Sequence, residues 1–306
     1  MITVIGPNPA VDHILDVPGF VPGASWRSQS SLHVAGGKPM NVARTLRRLD
    51  VEVLLACPVG GKLDGSQLIA EACQHLGIEL CALPIAPPIR TCVVLVDTEN
   101  TTSSVINEPG PHLSAEEAGG YERLAMDSVC AGNLALGSGS LPPGIPTDFY
   151  GRVARCARER GIRLILDTTG EALVRALESR PWAVKVNGEE IVAATGAPNI
   201  EQAVADVTDQ GVEHVVVTLG ADGARYFGPD AALRISTAPV RTVNPVGSGD
   251  AFLAGLSAGL NQGYCWADAL RLASAVGGLA ASRFEPDIGP SPDLAPLLEQ
   301  VKVSAQ

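Results

Sequence analysis

The chain has 306 residues, of which 46% are hydrophobic and 18% charged, so it can bury the core of one large α/β domain or of two ordinary ones. Its formal net charge of −11 argues against a general nucleic-acid or anionic-membrane surface, because such surfaces need a basic excess. The seven cysteines are dispersed and never spaced as C-x-x-C, which argues against a disulfide framework or a zinc site. A reduced, cytoplasmic protein is the simplest prediction.

The first segment predicts a strand followed by a polar turn. Residues 2–6 have the composition of a short buried strand, and Asn8 and Asp12 follow it. Because ligands of open α/β sheets bind beyond the carboxyl ends of strands, Asp12 is a candidate ligand for a substrate hydroxyl. Asn-Pro and Asp are also ordinary turn residues, so this stretch alone does not decide. Residues 14–34, which contain several prolines and glycines, predict a hairpin rather than a helix.

Residues 36–49 predict a flexible approach into a helix. Gly36 and Gly37 come first, and a helix over 41–49 would place Val42, Leu46 and Leu49 inward and Arg44, Arg47 and Arg48 outward. Lys38 and Asn41 lie at the N-terminal end of this helix. They fit either solvation and capping or a cradle for a polyhydroxylated or phosphorylated ligand.

The next stretch departs from the strand–helix alternation. Residues 51–58 predict a strand, 64–77 a helix and 78–83 another strand. Two β-branched runs then follow, 90–97 and 101–106, joined by a short polar turn that predicts an antiparallel hairpin. Together with residues 14–34, the segment 90–107 predicts a small sheet outside the main alternation, which we interpret as a lid.

From residue 114 the alternation of helices and strands resumes. The predicted helices cover 114–129, 147–160, 171–179, a helix opened by NGEE at 187–190, 201–210, 251–262 and 266–284; the predicted strands cover 133–137, 162–167, 182–186 and the run 214–224, which ends in a glycine turn. This rhythm implies a mainly parallel sheet that is covered by helices on both faces.

The stretch 243–259, VNPVGSGDAFLAGLSAG, predicts a glycine loop that leads into a helix. Backbone N–H groups of such a loop, together with the positive end of the helix dipole, form an anion site that suits a phosphate. A carboxylate beside an anion site is unfavourable unless the reaction needs it. Asp250 is therefore either a general base for a substrate hydroxyl or a plain helix cap.

Taken together, the motifs resemble those of the ribokinase-like, or PfkB, family of sugar kinases, in the branch of 1-phosphofructokinases and tagatose-6-phosphate kinases. The resemblance covers essentially the whole chain. The motifs occur in family order: NPAVD at 8–12, GGKPMNVAR at 36–44, NEPGP at 107–111, SGSLPPG at 138–144, NGEE at 187–190, TLGADG at 218–223 and GSGDAFLAG at 247–255. It implies a single domain over residues 1–306, with a three-layer α/β/α core and a β-sheet lid that often serves as a dimer surface.

The resemblance also implies roles for individual residues. Asp250 would be the catalytic base, and Gly247, Ser248 and Gly249 would supply the anion hole. Sugar or sugar-phosphate contacts would come from Asp12, Gly37, Lys38, Asn41, Arg90 and Ser138. Asn187 and Glu190 would organise magnesium through water, and Thr218, Gly220 and Gly223, with Asn187, would lie beside the nucleotide. ATP and magnesium are the implied cofactors.

The implied reaction transfers the γ-phosphoryl group of ATP to a hydroxyl of a ketohexose phosphate, either fructose 1-phosphate or tagatose 6-phosphate. A kinase of an unphosphorylated sugar or nucleoside is the alternative enzyme, and an inactive sugar or nucleotide sensor is the alternative without catalysis. The chain departs from the family pattern at Pro39, where a glycine is usual, at Val246 and Ser248 in the loop, and in 101–106, which contains no arginine. These departures affect the prediction of the acceptor substrate more than the prediction of the reaction type.

Overall fold

The computed structural model describes residues 1–60, 65–289 and 293–306. Its strands are β1 Ile2–Ile5, β2 Ala10–Asp16, β3 Ser30–Gly36, β4 Val53–Gly60, β5 Glu79–Ile85, β6 Arg90–Asp97, β7 Thr102–Asn107, β8 Leu134–Ser138, β9 Arg163–Asp167, β10 Ala183–Asn187, β11 His214–Thr218, β12 Ala224–Phe227, β13 Ala232–Ile235 and β14 Val303–Ala305. Its α-helices are α1 Lys38–Arg48, α2 Gly65–Leu76, α3 Ala115–Ser128, α4 Phe149–Glu159, α5 Gly170–Leu177, α6 Gly188–Thr195, α7 Ile200–Asp209, α8 Ser248–Asn261, α9 Trp266–Ala281 and α10 Leu294–Gln300. The start of the helix predicted at 64 lies outside the described residues.

The larger sheet has the strand order β14-β13-β12-β11-β10-β9-β8-β1-β4-β5. The strands from β11 to β5 pair in parallel, whereas β12, β13 and β14 pair antiparallel at one end. Their side chains alternate between two cores. Leu134 and Leu136 pack with α1, α2, α8 and α9, whereas Ala135 packs with α3 to α7. The predicted three-layer α/β/α architecture is confirmed.

The smaller sheet has the order β3-β2-β6-β7 and corresponds to the small sheet predicted outside the main alternation, for which we keep the name lid. It starts at Ala10, four residues before the predicted boundary, because β2 pairs with β3 and with β6 over its whole length. Asp12 therefore belongs to a lid strand and not to a turn of the core. The inner face of the lid packs Ile14, Val94 and Val96 against Val246 and Phe284 of the main body.

Pro39 is accommodated without loss of a helical hydrogen bond. It lies in the first turn of α1, where a backbone N–H has no intrahelical acceptor and where the fixed φ of proline is favourable. No helix in the part of the chain that the structure describes is long and apolar enough to cross a membrane.

Candidate active site

A cleft of about 960 Å³ lies between the lid and the carboxyl ends of the parallel strands. Parallel strands present their carboxyl ends at one edge, which is where α/β sheets bind ligands. Most of the predicted site residues line this cleft: Asp12, Gly37, Lys38, Asn41, Arg90, Asn187, Glu190, Thr218, Gly247, Gly249 and Asp250. Positions far apart in the sequence are thus brought to one place.

A second cavity of about 510 Å³ adjoins the cleft. Gly220, Gly223 and Ser248 line it, together with apolar groups from the segment 238–240 and from α8 and α9. Thr218 and Gly249 line both cavities. The start of α8 therefore lies between the cleft under the lid, which contains most of the charged candidate residues, and a smaller cavity.

The N-cap and first turn of α8 have several backbone N–H groups without an acceptor among the described residues. Gly247 has a φ of 83° and caps the helix, a conformation that favours glycine. The N–H and the hydroxyl of Ser248 both donate to the carbonyl of Pro245. Among the described residues, no acceptor meets the N–H of Gly247, Gly249 or Asp250. These N–H groups, at the N-terminus of a 14-residue helix, fit an anion.

Asp250 is buried in the first turn of α8. Burial raises the pKa of its carboxyl group to about 6, and the neighbouring charge of Asp167 acts in the same direction. Lys38, Lys185 and a hydrogen bond from Asn41 oppose this rise. The Asn41 Nδ2 group donates to Asp250 Oδ2 over 3.0 Å. A carboxylate with a pKa near neutrality suits proton abstraction from a hydroxyl.

A second buried carboxylate, Asp167 at the end of β9, was not predicted from the sequence. Lys38 Nζ lies 2.5 Å from its Oδ1 and Lys185 Nζ lies 2.6 Å from its Oδ2. Burial would raise the pKa of Asp167, but the two ammonium groups lower it to about 2. The sequence does contain a signal for this pair. Lys185 is a charged residue within an apolar strand, and Asp167 is an acid at the end of another buried strand. Buried charges of this kind are normally paired.

Lys38 faces both carboxylates. Burial alone would lower the pKa of its ammonium, but the charges of Asp167 and Asp250 raise it above its ordinary value. Its side chain keeps 35% of its surface exposed in the cleft. The predicted cation is therefore present in the cleft, held by Asp167.

Asp12 lies on the lid side of the cleft. Its carboxylate oxygens accept the N–H of Gly37 over 3.3 and 3.4 Å, and a side chain at Gly36 would collide with it. Burial raises the pKa of Asp12, while Gly37, Arg44 and Arg90 favour the ionised form. The glycine pair thus lets the backbone approach a carboxylate that is suited to bind hydroxyl groups.

Arg90 lies at the start of β6 in the wall of the cleft. Its guanidinium donates to the carbonyls of Glu108 and Asn8 over 3.1 and 3.3 Å. Its Nε is buried without a protein acceptor, and no carboxylate of the described residues lies within 4.0 Å of the guanidinium. A cation without a carboxylate partner fits an anionic ligand.

Asn187 and Glu190 form a capping box at the start of α6. The Glu190 N–H donates to Asn187 Oδ1 over 2.7 Å, and the Asn187 N–H donates to Glu190 Oε2 over 2.8 Å. Both residues also line the cleft, so the capping interaction does not remove them from it. In the described ranges, no group of three or more His, Cys, Asp or Glu residues could hold a metal ion.

Ser138 does not line the cleft as predicted. It ends β8 with no exposed surface, and its Oγ has no partner in the described part of the chain. Ser140, two residues later, lines the cleft and accepts a hydrogen bond from Asn8. The SGS motif turns between these two serines, so the hydroxyl that reaches the cleft belongs to Ser140 and not to Ser138.

The chain is similar to known carbohydrate kinases over almost its whole length. The sequence model of the family described as pfkB family carbohydrate kinase matches residues 1–293. A 1-phosphofructokinase of Bacillus subtilis is 31% identical over 309 residues, covering 99% of each protein. A tagatose-6-phosphate kinase of Staphylococcus epidermidis is 29% identical, covering 92% of each.

Structural comparison supports the same grouping at the level of the fold. Phosphofructokinase-2 from Escherichia coli, solved in complex with substrates and products, superposes with a TM-score of 0.88 and 22% identity, covering 98% of each chain. The resemblance drawn from the motifs is thus confirmed. The chain belongs to the pfkB family of carbohydrate kinases and has the ribokinase-like fold.

Proposed function

We propose that this carbohydrate kinase phosphorylates a hydroxyl of a ketohexose phosphate, with fructose 1-phosphate or tagatose 6-phosphate as the acceptor. Membership of the family implies ATP as the phosphoryl donor. One observation carries the proposal: a buried carboxylate with a raised pKa stands beside unpaired backbone N–H groups where two cavities meet. The names of the two relatives by sequence indicate the acceptor class.

In this proposal the adjoining cavity holds the nucleotide and the cleft holds the sugar phosphate. The N–H groups of Gly247, Gly249 and Asp250 bind the charge of the transferring phosphoryl group, and Asp250 accepts the proton of the attacking hydroxyl. Lys38 and Lys185 add positive charge at the same place. Lys185 lies beside the loop, because a Cβ atom at Gly249 would come within 3.2 Å of its Nζ.

Magnesium fits this site only through water and the nucleotide. Both oxygens of Asp167 accept from lysines, and Glu190 retains one carboxylate oxygen without a protein donor among the described residues. Mg²⁺ keeps several waters and binds through few protein carboxylates together with substrate phosphates. Asn187 and Glu190 would hold its waters, and the ion would neutralise charge on the nucleotide phosphates.

The acceptor phosphate requires a cation, since a protein of net charge −11 repels a dianion at long range. Lys38 and Arg90 are the two cations among the residues predicted to contact the sugar phosphate, and both line the cleft. Lys38 is paired with Asp167, whereas Arg90 has no carboxylate partner within 4.0 Å in the described residues. We assign the larger share of the phosphate contact to Arg90, with Lys38 closer to the transferring group.

A panel of sugars and sugar phosphates in a nucleotide-consumption assay tests the proposal. Loss of a charge-assisted contact of about 1.5–3 kcal/mol in Arg90→Ala should raise KM for the sugar phosphate about tenfold or more, with little effect on KM for the nucleotide. Arg175→Ala, which removes an exposed arginine of α5, is the control and should change neither constant.

The same assay separates the alternatives. A wild-type preference for an unphosphorylated sugar or nucleoside, unchanged by Arg90→Ala, would replace the proposed acceptor but keep the kinase. Ligand binding without nucleotide consumption across the panel would indicate a sensor.

We further propose that residues 1–306 act as one kinase domain that pairs with a second copy through the lid. Val93 and Leu95 alternate with the buried Val94 and Val96, so they lie on the outer face of the lid. Ile106 pairs with Val93 and is 62% exposed. A dimer would cover this apolar face.

Light scattering should show a dimer that Ile106→Lys converts to a monomer, and a monomeric wild type would contradict the pairing.

A further inference from the structure

Arg44 is buried, although the helical pattern predicted that it faces solvent. It is 6% exposed on α1 and donates to three oxygens: Asn41 Oδ1 over 3.1 Å, the carbonyl of Pro286 over 3.1 Å and the carbonyl of Ala35. Arg47 and Arg48 on the same helix remain partly exposed. Burying a guanidinium costs free energy unless hydrogen-bond acceptors or opposite charges surround it.

The contact between Arg44 and Asn41 determines which way the Asn41 amide points. A guanidinium has only donors, so it can meet only the carbonyl oxygen of the amide. The other end, the NH₂ group, then faces Asp250 and donates to Oδ2 over 3.0 Å. If the amide turned over, its carbonyl oxygen would face a carboxylate and its NH₂ group would face a cation.

We propose that Arg44 is a positioning residue for phosphoryl transfer, which holds the Asn41 amide so that its NH₂ group donates to the Asp250 carboxylate. The inference rests on the proposed role of Asp250 as the base. Arg44 lines neither cavity and acts through Asn41.

The groups that face Asp250 define what Arg44 contributes. Lys38 and Lys185 favour the ionised carboxylate, and Asp167 disfavours it. The hydrogen bond from Asn41 is the remaining stabilising contact of the ionised form. A hydrogen bond donated to the charged form of an acid lowers its pKa. Without Arg44 the amide is free to turn, this contact weakens, and Asp250 becomes harder to ionise.

The test is the pH dependence of kcat/KM for Arg44→Met, with Arg48→Met as a matched control. Arg48 lies one turn later on α1 and pairs with Asp287 without touching Asn41. In Arg44→Met the acid limb should move to higher pH by about half a unit or more, because one hydrogen bond to the ionised form is lost. Arg48→Met should keep the wild-type limb.

Arg44→Gln is the second variant for this test and replaces Arg44→Met if the latter does not fold. Glutamine is polar but can present either a donor or an acceptor to Asn41, so it no longer fixes the amide. It should move the limb in the same direction by a smaller amount. A limb that stays in place in a folded Arg44 variant, or that moves equally in Arg48→Met, would overturn the inference.

Asp250→Asn separates this failure from failure of the proposed function. A nearly normal turnover in Asp250→Asn would reject the base itself. A large loss in Asp250→Asn with an unmoved limb in the Arg44 variants would reject only the positioning role. The difference in melting temperature between each variant and its Asp250→Asn double, followed against pH, reports the same ionisation without turnover.

Discussion

The floor of the cleft has two buried carboxyl groups whose pKa values are shifted in opposite directions. At the end of β9, Asp167 lies between two ammonium groups, and its pKa falls to about 2. At the start of α8, Asp250 has one amide as its hydrogen-bond donor, and burial raises its pKa to about 6. Both carboxylates are buried, so the neighbouring charged and hydrogen-bonding groups decide the direction of the pKa shift. One carboxylate is permanently charged and organises lysines, while the other can exchange a proton.

The largest expected effect comes from removing the exchangeable carboxylate. Asp250→Asn should lower kcat at least about a hundredfold, the usual size of a general-base contribution, while leaving ligand binding nearly intact. Steady-state kinetics together with nucleotide binding by calorimetry check both parts. Nearly normal turnover would show that Asp250 is not the base and would remove the functional contrast with Asp167.

The same variant should be more stable than the wild type at alkaline pH. A pKa raised from 3.8 to about 6 means that the wild-type fold loses stability as pH rises between these values, by up to about 3 kcal/mol. Asparagine can still accept the hydrogen bond from Asn41 but carries no charge. Melting temperatures of the two proteins should separate at pH 8 and converge near pH 4, and equal values at pH 8 would contradict the raised pKa.

Asp167→Asn should have the opposite effect on stability. It removes the carboxylate that the ammonium groups of Lys38 and Lys185 both contact, and removing one partner of a buried ion pair costs about 3–5 kcal/mol. Because the folded state lowers the pKa of Asp167, its contribution is present at neutral pH and is lost as pH falls toward 2. Urea unfolding at pH 7 measures the difference.

Asp148→Asn is the control for that measurement. Asp148 is 49% exposed and pairs with Arg152 at the surface, where an ion pair contributes about 0–1 kcal/mol. A loss in Asp167→Asn no larger than the loss in Asp148→Asn would show that the lysines do not depend on Asp167.

The smallest effect is expected at Glu190, the half-buried carboxylate of α6, which has no ammonium partner within 4.0 Å in the described chain. Glu190→Gln keeps the capping box, since glutamine serves at that position, so the helix should remain. The magnesium concentration for half-maximal rate should rise several-fold and kcat should fall, with KM for the sugar unchanged. Glu189→Gln on the same helix should change none of these values, and unchanged magnesium dependence in both variants would reject the assignment.

The sequence predicted the architecture well where the signal was local. Helix and strand boundaries of the α/β alternation differ from the structure by one to three residues at most positions, because each element shows its own periodicity and ends in glycine or a cap. The antiparallel extension β12–β14 and the helix α10 were not predicted. Short strands such as Ala232–Ile235 and Val303–Ala305 are defined by pairing across about 70 residues, which periodicity does not show.

Only part of the candidate site was predicted from the sequence, because some of its residues form local motifs and others depend on contacts with distant elements. Asp250 and the glycines before it form a local motif, and so do Asn187 and Glu190. Asp167, Lys185 and the inward orientation of Arg44 depend on groups contributed by other elements. The helical pattern placed Arg44 on the outer face because charge normally lies there, and only the fold shows the acceptors that bury it.

The pH dependence of kcat/KM in the wild type and in the residual activity of Asp250→Asn tests the central claim most directly. If Asp250 is the base, the wild-type value should fall below pH 6 and be about tenfold below its plateau at pH 5, because only the ionised carboxylate accepts the proton. The Asp250→Asn profile should lack this limb, which separates it from ionisation of the acceptor phosphate. A wild-type plateau that extends below pH 5, or an identical limb in both proteins, would contradict the account.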